Sequence, residues 1–231
     1  MIAAQTSYLH KCGRGITDEE YEAFCYVYSH TYNNMIIGGK AFNNGANFLY
    51  SDMSVGRNTY EKNIFYDTEA SGDSGALKNN CGKLNMGINN YVHRTSALEY
   101  AYGGCREADR ENPLSFENYH NIYLFDNMDG FEFGRPNDRF YDDQPDLHHN
   151  IYWSLNAGDE ELPKFPDGLN WYEWQATGND TGSLWQDPLF EDISTHSYIL
   201  AEDSPAWELG IEQIEVDNIG IQDFGKYLGR N

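Results

Sequence analysis

Asn121-Ile122-Tyr123-Leu124 is one of five stretches in which an Asn precedes two or three apolar or aromatic residues. The other four are Asn34-Met35-Ile36-Ile37, Asn63-Ile64-Phe65-Tyr66, Asn90-Tyr91-Val92 and Asn150-Ile151-Tyr152-Trp153. Successive Asn residues are separated by 29, 27, 31 and 29 residues (63−34, 90−63, 121−90, 150−121). Segments that return at a constant spacing of this length are typical of repeat proteins. The pattern therefore predicts a stack of similar units.

The repeat favours a parallel β-helix over other repeat architectures. Leu does not recur as leucine-rich repeats require, the period is too short for propeller blades, and helical spacing is missing between the units. In a parallel β-helix each coil contributes about three short strands, and each strand pairs with its equivalent one coil away. An Asn at the bend can bond the Asn of the next coil. We predict an all-β fold, a right-handed parallel β-helix (solenoid) with short helices and a C-terminal capping segment.

The chain is predicted to form one domain. Residues 1–153 are assigned to the coils, and residues 154–231 to the C-terminal coil and cap. A short amphipathic helix is predicted over residues 167–177, and closing strands near Leu189-Phe190 and Tyr198-Ile199-Leu200. Because no comparable cap precedes Asn34, we expect further coils upstream of this chain.

Composition narrows the range of partners. The chain has 231 residues, with 15 basic and 37 acidic residues and a net charge of −22. Such a surface repels phosphate backbones and anionic lipid, which argues against nucleic acid and membranes as partners. No apolar run approaches the ~18 residues of a membrane span, and no signal peptide is visible. The four cysteines (Cys12, Cys25, Cys81, Cys105) form no CxxC pair, so disulfides and free thiols both remain open.

Several stretches resemble the C-terminal part of right-handed β-helix repeat proteins of the pectate-lyase-like superfamily. The most specific is the ending, in which Asp187-Pro188-Leu189-Phe190-Glu191-Asp192 resembles the family's "ADPLFVDP" strand. Asp203-Ser204-Pro205-Ala206 follows it as "DSPA" does there. Glu61-Lys62-Asn63-Ile64-Phe65-Tyr66-Asp67-Thr68 resembles "ENNIVYDT" more loosely. The resemblance spans about residues 30–221 and is more specific to the fold than to a reaction.

The resemblance implies a carbohydrate-active protein that binds a polysaccharide or oligosaccharide along its outer groove. Glycoside hydrolysis is favoured over polysaccharide lyase chemistry, because the surface is acidic and a groove rich in Lys and Arg is not evident. A non-catalytic glycan-binding or structural solenoid is the alternative, so an enzymatic role is left open. The expected partner is carbohydrate, the expected state is a monomer, and the expected location is extracellular.

Two carboxylates are the candidate catalytic residues. Asp52 lies in Leu49-Tyr50-Ser51-Asp52-Met53-Ser54, which resembles the family's "IYLDEGS". Met53 stands where a second acid is common, which weakens a two-carboxylate mechanism at that position. Glu99, one coil beyond Lys78, is the second candidate.

Four residues are candidate substrate contacts. Lys78 and Asn80 stand where relatives often have histidines, and two residues apart on a strand they share a face. Tyr100 is expected to stack near Lys78. Arg106, in a charged loop, is a candidate to bind a substrate carboxylate, with an ion pair to Glu107 or Asp109 as the alternative.

No metal site is predicted. His148 and His149 are adjacent and, on a strand, would point to opposite faces, which makes a poor metal chelate. The acidic residues between Asp138 and Asp146 lack EF-hand spacing. No cofactor is expected, with loose Ca²⁺ binding left open.

Overall fold

The structure is a computed structural model. It describes residues 29–32, 35–37, 49–51, 58–67, 77–79, 85–94, 100–102, 116–126, 146–156, 165 and 168–216. Within this set, side chains are described for residues 59–66, 87–93, 117–126, 146–156, 165 and 168–216. The described residues lie mostly in strands of parallel sheets with few helices, as expected of an all-β fold.

Sheet A is built from the strands that precede the Asn units. Its strands are β1 (Ser29–Tyr32), β4 (Asn58–Glu61), β7 (Asn85–Ile88), β10 (Phe116–Tyr119) and β12 (Asp146–His148). They are parallel and lie in the order β1-β4-β7-β10-β12. Each strand therefore pairs with the equivalent strand one repeat away.

Sheet B contains the apolar parts of the Asn units. Its strands are β2 (Met35–Ile37), β5 (Ile64–Asp67), β8 (Tyr91–Arg94), β11 (Ile122–Phe125), β13 (Ile151–Ser154) and β14 (Leu184–Trp185). All are parallel and follow chain order across the sheet. Met35 pairs with Ile64, Ile64 with Tyr91 and Ile122 with Ile151. The register thus equals the repeat spacing that the sequence predicted.

A third parallel sheet, sheet C, contains three described strands. These are β3 (Leu49–Ser51), β6 (Leu77–Asn79) and β9 (Tyr100–Tyr102). They lie in the order β3-β6-β9. Three consecutive repeats therefore supply a strand to each of the three sheets.

The bends between sheets A and B repeat the same backbone conformation. In the described repeats, the residue just before the Asn has a positive φ: 52° at Lys62, 51° at Asn89, 56° at His120 and 53° at His149. This left-handed conformation turns the chain sharply, and Asn and His, which occupy three of these four positions, are among the non-Gly residues that adopt it most often.

The predicted Asn ladder is present along these bends. Asn63 donates from its backbone N and its Nδ2 to Asn90 Oδ1, both at 3.0 Å. Asn121 makes the same two bonds to Asn150 Oδ1, at 2.9 and 3.1 Å. After Asn150 the acceptor is Ser183 Oγ, 2.9 Å from the Asn150 backbone N. The backbone N–H of each described Asn in the ladder therefore finds its acceptor one repeat further on.

Sheets A and B share a buried interior. Asn118 of sheet A is fully buried and its Nδ2 donates to the hydroxyl of Tyr123 in sheet B at 2.6 Å. Tyr123 stacks on Tyr152 with ring centroids 5.1 Å apart. Gly87 lies beside Asn118, where a Cβ would overlap the Asn118 side chain. The interior is thus filled by stacked side chains from equivalent positions of neighbouring repeats.

The C-terminal segment covers the other face of sheet B. Strands β15 (Phe190–Asp192) and β16 (Ser197–Leu200) form an antiparallel hairpin around a 3-10 helix (Ile193–Thr195). One apolar cluster joins both elements: Ile64, Tyr91, Ile122, Leu124, Ile151, Tyr198, Leu200, Ala206, Ile211 and Ile214. The hairpin agrees with the predicted closing strands, and the segment runs along sheet B across several repeats.

Helix α1 (Trp171–Ala176) packs against the last full repeat. Asn170 caps it, with Glu173 completing a capping box. Trp171 contacts Tyr152 at a centroid distance of 5.6 Å, and Phe165 stacks on Trp174 at 5.1 Å. The helix predicted over residues 167–177 is confirmed in its central part, and its tryptophans cover the interior beyond Tyr152.

Candidate functional site

The open face of sheet A presents polar and aromatic side chains. In β10 and β12, Glu117 pairs with Asp146, and Tyr119 pairs with His148. Side chains alternate along a strand, so these four project from one face while Asn118 and its partner Leu147 project into the interior. Asp146 is exposed and the other three are partly buried. We call this group the sheet A face.

Three of these residues bring ligand-type atoms together. Glu117, Asp146 and His148 each offer one oxygen or nitrogen atom, and these atoms lie within 4.8 Å of one another. His148 Nε2 is 3.8 Å from Glu117 Oε1. Two carboxylates and one imidazole thus converge at a point that solvent can reach.

Two neighbours orient His148. Its ring stacks on Tyr119, with centroids 4.9 Å apart and an interplanar angle of 10°. Its Nδ1 lies 3.0 Å from Nδ1 of His149. One of these nitrogens must carry the hydrogen of this bond. When His148 Nδ1 is the donor, the free lone pair of Nε2 is on the side of Glu117.

The expectation that His148 and His149 point to opposite faces is wrong. His149 is not part of the strand but occupies the bend, with φ at 53°. The left-handed backbone carries the His149 ring back towards His148. A sequence pattern that assumes regular strand alternation misses this arrangement.

Neighbouring charges and burial affect the aromatic groups of the sheet A face. Burial, followed by the Glu117 and Glu61 carboxylates, raises the pKa of Tyr119. Burial, followed by His149 and His148, lowers the pKa of His120. The Tyr119 hydroxyl is therefore protonated at neutral pH, and His120 favours its uncharged form.

A second cluster joins sheet B to the C-terminal hairpin. His93 is 4% exposed; its Nε2 lies 3.0 Å from Asp126 Oδ1 and its Nδ1 lies 3.0 Å from the Tyr198 hydroxyl. Tyr198 is 1% exposed. A carboxylate, an imidazole and a hydroxyl in this order resemble a proton relay. Because the terminal hydroxyl is buried against the hairpin, the cluster links the two elements and does not present a reactive group to a substrate.

Asp180 forms a third polar cluster, which is fully buried. Its Oδ1 accepts from Tyr152 at 2.9 Å and from Ser183 Oγ at 3.0 Å, and its Oδ2 accepts from Trp174 Nε1 at 2.8 Å. Burial raises the pKa of Asp180, while these three donors act in the opposite direction. The cluster ties helix α1 to the last repeat and is inaccessible to a ligand.

Most of the site residues predicted from the sequence fall outside the described part of the chain. Asp52, Asn80, Glu99 and Arg106 lie outside the described residues. The four cysteines lie outside them as well.

Lys78 and Tyr100 are placed by the register of sheet C. Lys78 pairs with Tyr50 on one side and with Ala101 on the other. Tyr100 pairs with Leu77. The described backbone therefore sets Tyr100 one residue out of register with Lys78.

The sequence pattern was not used to group the residues of the sheet A face, although they occupy equivalent positions in two successive repeats. Glu117 and Asp146 both lie four residues before the Asn of their repeat, and Tyr119 and His148 both lie two residues before it. Equivalent positions of successive repeats become neighbours in a parallel sheet. Aligning the polar residues on the Asn units, and not only the apolar ones, would have brought this group together.

Among the residues that the structure describes, no helix has the length and apolar character needed to cross a membrane. No protein-family model, no curated protein and no solved structure matches this chain.

Proposed function

We propose that the chain is a right-handed parallel β-helix protein that hydrolyses a glycan bound along the sheet A face, with Glu117 and Asp146 as the catalytic pair. The solenoid is supported by the register, in which strands of three parallel sheets pair at the repeat spacing. It is further supported by the Asn ladder, whose members repeat one bonding pattern from bend to bend.

The paired carboxylates are the observation on which the hydrolase assignment depends. Glycosidases use two carboxyl groups that flank the scissile bond, about 5–5.5 Å apart in retaining enzymes and about 6.5–9.5 Å apart in inverting ones. Glu117 and Asp146 approach to within 4.8 Å on registered strands. This short separation favours a retaining mechanism over an inverting one.

The surroundings suggest a role for each carboxylate. Glu117 is the less exposed of the two carboxylates, and His148 Nε2 lies 3.8 Å from its Oε1, beyond hydrogen-bond distance. We assign Glu117 as the acid and base and the more exposed Asp146 as the nucleophile. The stacked pair of Tyr119 and His148 offers an aromatic edge beside them, of the kind on which sugar rings pack.

Polysaccharide lyase chemistry has less support. A lyase neutralises the carboxylate of a uronate sugar with positive groups, usually Arg or Lys. Within residues 117–126 and 146–156, which the structure describes on these repeats, the sequence has neither residue. A neutral glycan is therefore the preferred substrate class.

Release of reducing ends from a panel of neutral and acidic polysaccharides tests the proposal. Glu117→Gln and Asp146→Asn should each lower the rate by about 10²–10⁴-fold, while Glu208→Gln, on an exposed part of the C-terminal segment, should have no effect. Proton NMR of the first product should show a retained anomeric configuration.

The opposite outcomes are equally specific. Unchanged rates in both carboxylate variants would remove Glu117 and Asp146 from the mechanism. An inverted product would contradict the short separation of the pair. Binding of a glycan by the folded wild-type protein, with no product from any substrate, would favour the alternative of a non-catalytic glycan-binding solenoid.

A further inference from the structure

We propose that Glu117, Asp146 and His148 bind one first-row divalent transition-metal ion, of the Zn²⁺, Co²⁺ or Ni²⁺ class. The ion would occupy the same space as the glycan and would inhibit its hydrolysis. The binding site stands on the geometry alone, whereas the inhibition rests on the proposed function.

The ligand atoms favour this class of ion. Imidazole nitrogen suits Zn²⁺, Ni²⁺ and related ions, whereas Ca²⁺ and Mg²⁺ take oxygen ligands. Carboxylate oxygen and imidazole nitrogen are both zinc ligands, and three protein ligands is the number found in catalytic zinc sites, which leave a further position for water. The donor set therefore separates transition metals from the Ca²⁺ that an all-oxygen cluster would select.

Rotation of the side chains is enough to bring the three ligand atoms to the separations found around a bound metal ion. Ligands at the usual bond lengths of about 2.1 Å lie roughly 3.4 Å apart around a tetrahedral ion. The three ligand atoms lie within 4.8 Å of one another, and His148 Nε2 is 3.8 Å from Glu117 Oε1. Because Asp146 is exposed and Glu117 is only partly buried, rotation of their carboxylates closes the remaining gap without moving the strands.

His149 and Tyr119 supply an independent reason, because they hold His148 ready for a metal. A metal-bound histidine usually donates its second ring N–H to a nearby acceptor, which sets the tautomer and the ring direction. Here His149 Nδ1 lies 3.0 Å from His148 Nδ1. The stack on Tyr119, at 4.9 Å and 10°, holds the ring plane. With His148 Nδ1 as the donor in this bond, the lone pair of Nε2 is left as a ligand on the side of the carboxylates.

The negative charge around the three ligands also favours a bound cation. Two carboxylates within 4.8 Å repel each other when both are ionised, and the net charge of −22 adds to the local negative potential. No Lys or Arg occurs in residues 117–126 or 146–156 to offset them. A divalent cation relieves this repulsion.

Calorimetric titration of the untagged, chelator-stripped full chain with Zn²⁺, Ni²⁺ and Ca²⁺ tests the site. We expect one Zn²⁺ or Ni²⁺ per chain, with no displacement by excess Ca²⁺. His148→Phe keeps an aromatic ring against Tyr119 but removes the ligand, and should abolish binding. His149→Gly keeps a residue suited to the positive φ, and should weaken binding by about 10- to 100-fold.

His196→Gly is the matched control, since it removes an exposed imidazole from another position of positive φ, in the C-terminal hairpin, and should leave the affinity unchanged. Wild-type affinity in His148→Phe, or equal competition by Ca²⁺, would overturn the proposal. So would an equal loss in His196→Gly and His149→Gly, which would indicate diffuse binding to surface histidines.

A last comparison separates this proposal from the hydrolase. If both hold, Zn²⁺ inhibits hydrolysis by the wild type, and about 10- to 100-fold more Zn²⁺ is needed for the same inhibition of His149→Gly. Metal binding without any hydrolysis would leave the site standing and remove the hydrolase. Hydrolysis that depends on Glu117 and Asp146 but is insensitive to Zn²⁺, with no binding by calorimetry, would support the hydrolase and remove the metal site.

Discussion

The side-chain oxygen of Asn121 accepts two hydrogen bonds from a single residue, Asn90. The Asn90 backbone N lies 2.8 Å from Asn121 Oδ1, and Asn90 Nδ2 lies 3.0 Å from it. Both residues are almost completely buried, at 1% and 3% exposure. Each rung of the ladder thus satisfies two donors of the rung before it, in a place where water cannot substitute.

Asn121→Ala should destabilise the protein strongly. It leaves the Asn90 backbone N–H and one of the two Nδ2 hydrogens without an acceptor, while Nδ2 keeps its bond to Tyr60 O at 2.8 Å. Each unpaired buried donor costs about 1–3 kcal/mol. We expect the free energy of unfolding in urea to fall by about 2–5 kcal/mol. Asn179→Ala, which removes an Asn bonded to Thr177 in an exposed turn, should change it by less than about 1 kcal/mol. Similar losses in the two variants would show that the ladder contributes no special stability.

Gly87→Ala should destabilise the interior through one specific neighbour. The new Cβ would overlap Asn118 Oδ1, which also accepts from Asn121 Nδ2 at 3.2 Å. Overpacking of this kind costs about 1–3 kcal/mol. In an Asn118→Ala background the overlap is gone, so the same substitution should cost much less. Equal costs in the two backgrounds, measured by urea unfolding in a double-mutant cycle, would be evidence against this contact.

The stability of the protein should fall as the pH drops below about 6.5, the usual pKa of an unfolded histidine. Burial lowers the pKa of His93 in the folded protein, more strongly than its bond to Asp126 raises it. Just below this pH, His93 binds a proton in the unfolded chain but stays mostly unprotonated in the folded protein. The stability is therefore complete above pH 6.5 and is lost as the pH falls towards the lowered pKa, by up to about 1.4 kcal/mol per pH unit.

Comparison of urea unfolding at several pH values between 7.5 and 5 checks this behaviour. His93→Gln removes the titrating group, so its stability should vary less with pH than that of the wild type. Asn179→Ala, which removes no titrating group from an exposed turn, should keep the wild-type dependence. An identical pH dependence in the His93 variant would exclude His93 as its source.

Asp180→Ala should loosen the attachment of helix α1. The change removes the acceptor of three hydrogen bonds, from the Tyr152 hydroxyl, Ser183 Oγ and Trp174 Nε1. Asp180 is completely buried. We expect a loss of about 3–5 kcal/mol in the free energy of unfolding, together with a change in tryptophan fluorescence. Asp203→Ala, at an exposed position, should have little effect on either. An unchanged unfolding free energy in Asp180→Ala would show that these bonds do not stabilise the helix.

The repeat was predictable because it depends on residues that recur at a constant spacing in the sequence. An Asn that must bond its equivalent in the next repeat has to recur at the repeat spacing, and the apolar residues after it recur with it. The short helix was predictable for a similar reason, since Asn170 and Glu173 form a capping box within four residues.

The covering of sheet B was not predictable from the same pattern. All four residues of β11 (Ile122–Phe125) are buried, because Tyr123 faces the interior shared with sheet A while Ile122 and Leu124 face the C-terminal segment. A run of apolar residues indicates burial on both faces, but it does not identify what covers the second one.

The repeat length, the parallel pairing and the Asn ladder could be predicted from the sequence, because each follows from contacts between equivalent positions. The tertiary structure was needed to show that Glu117, Asp146 and His148 meet, because their meeting depends on the register of β10 with β12 and on a left-handed bend at His149. It also decided that the C-terminal segment lies along sheet B, with Tyr198 closing over His93. Contacts between non-equivalent positions depend on how the chain turns, and the spacing of residues does not contain that information.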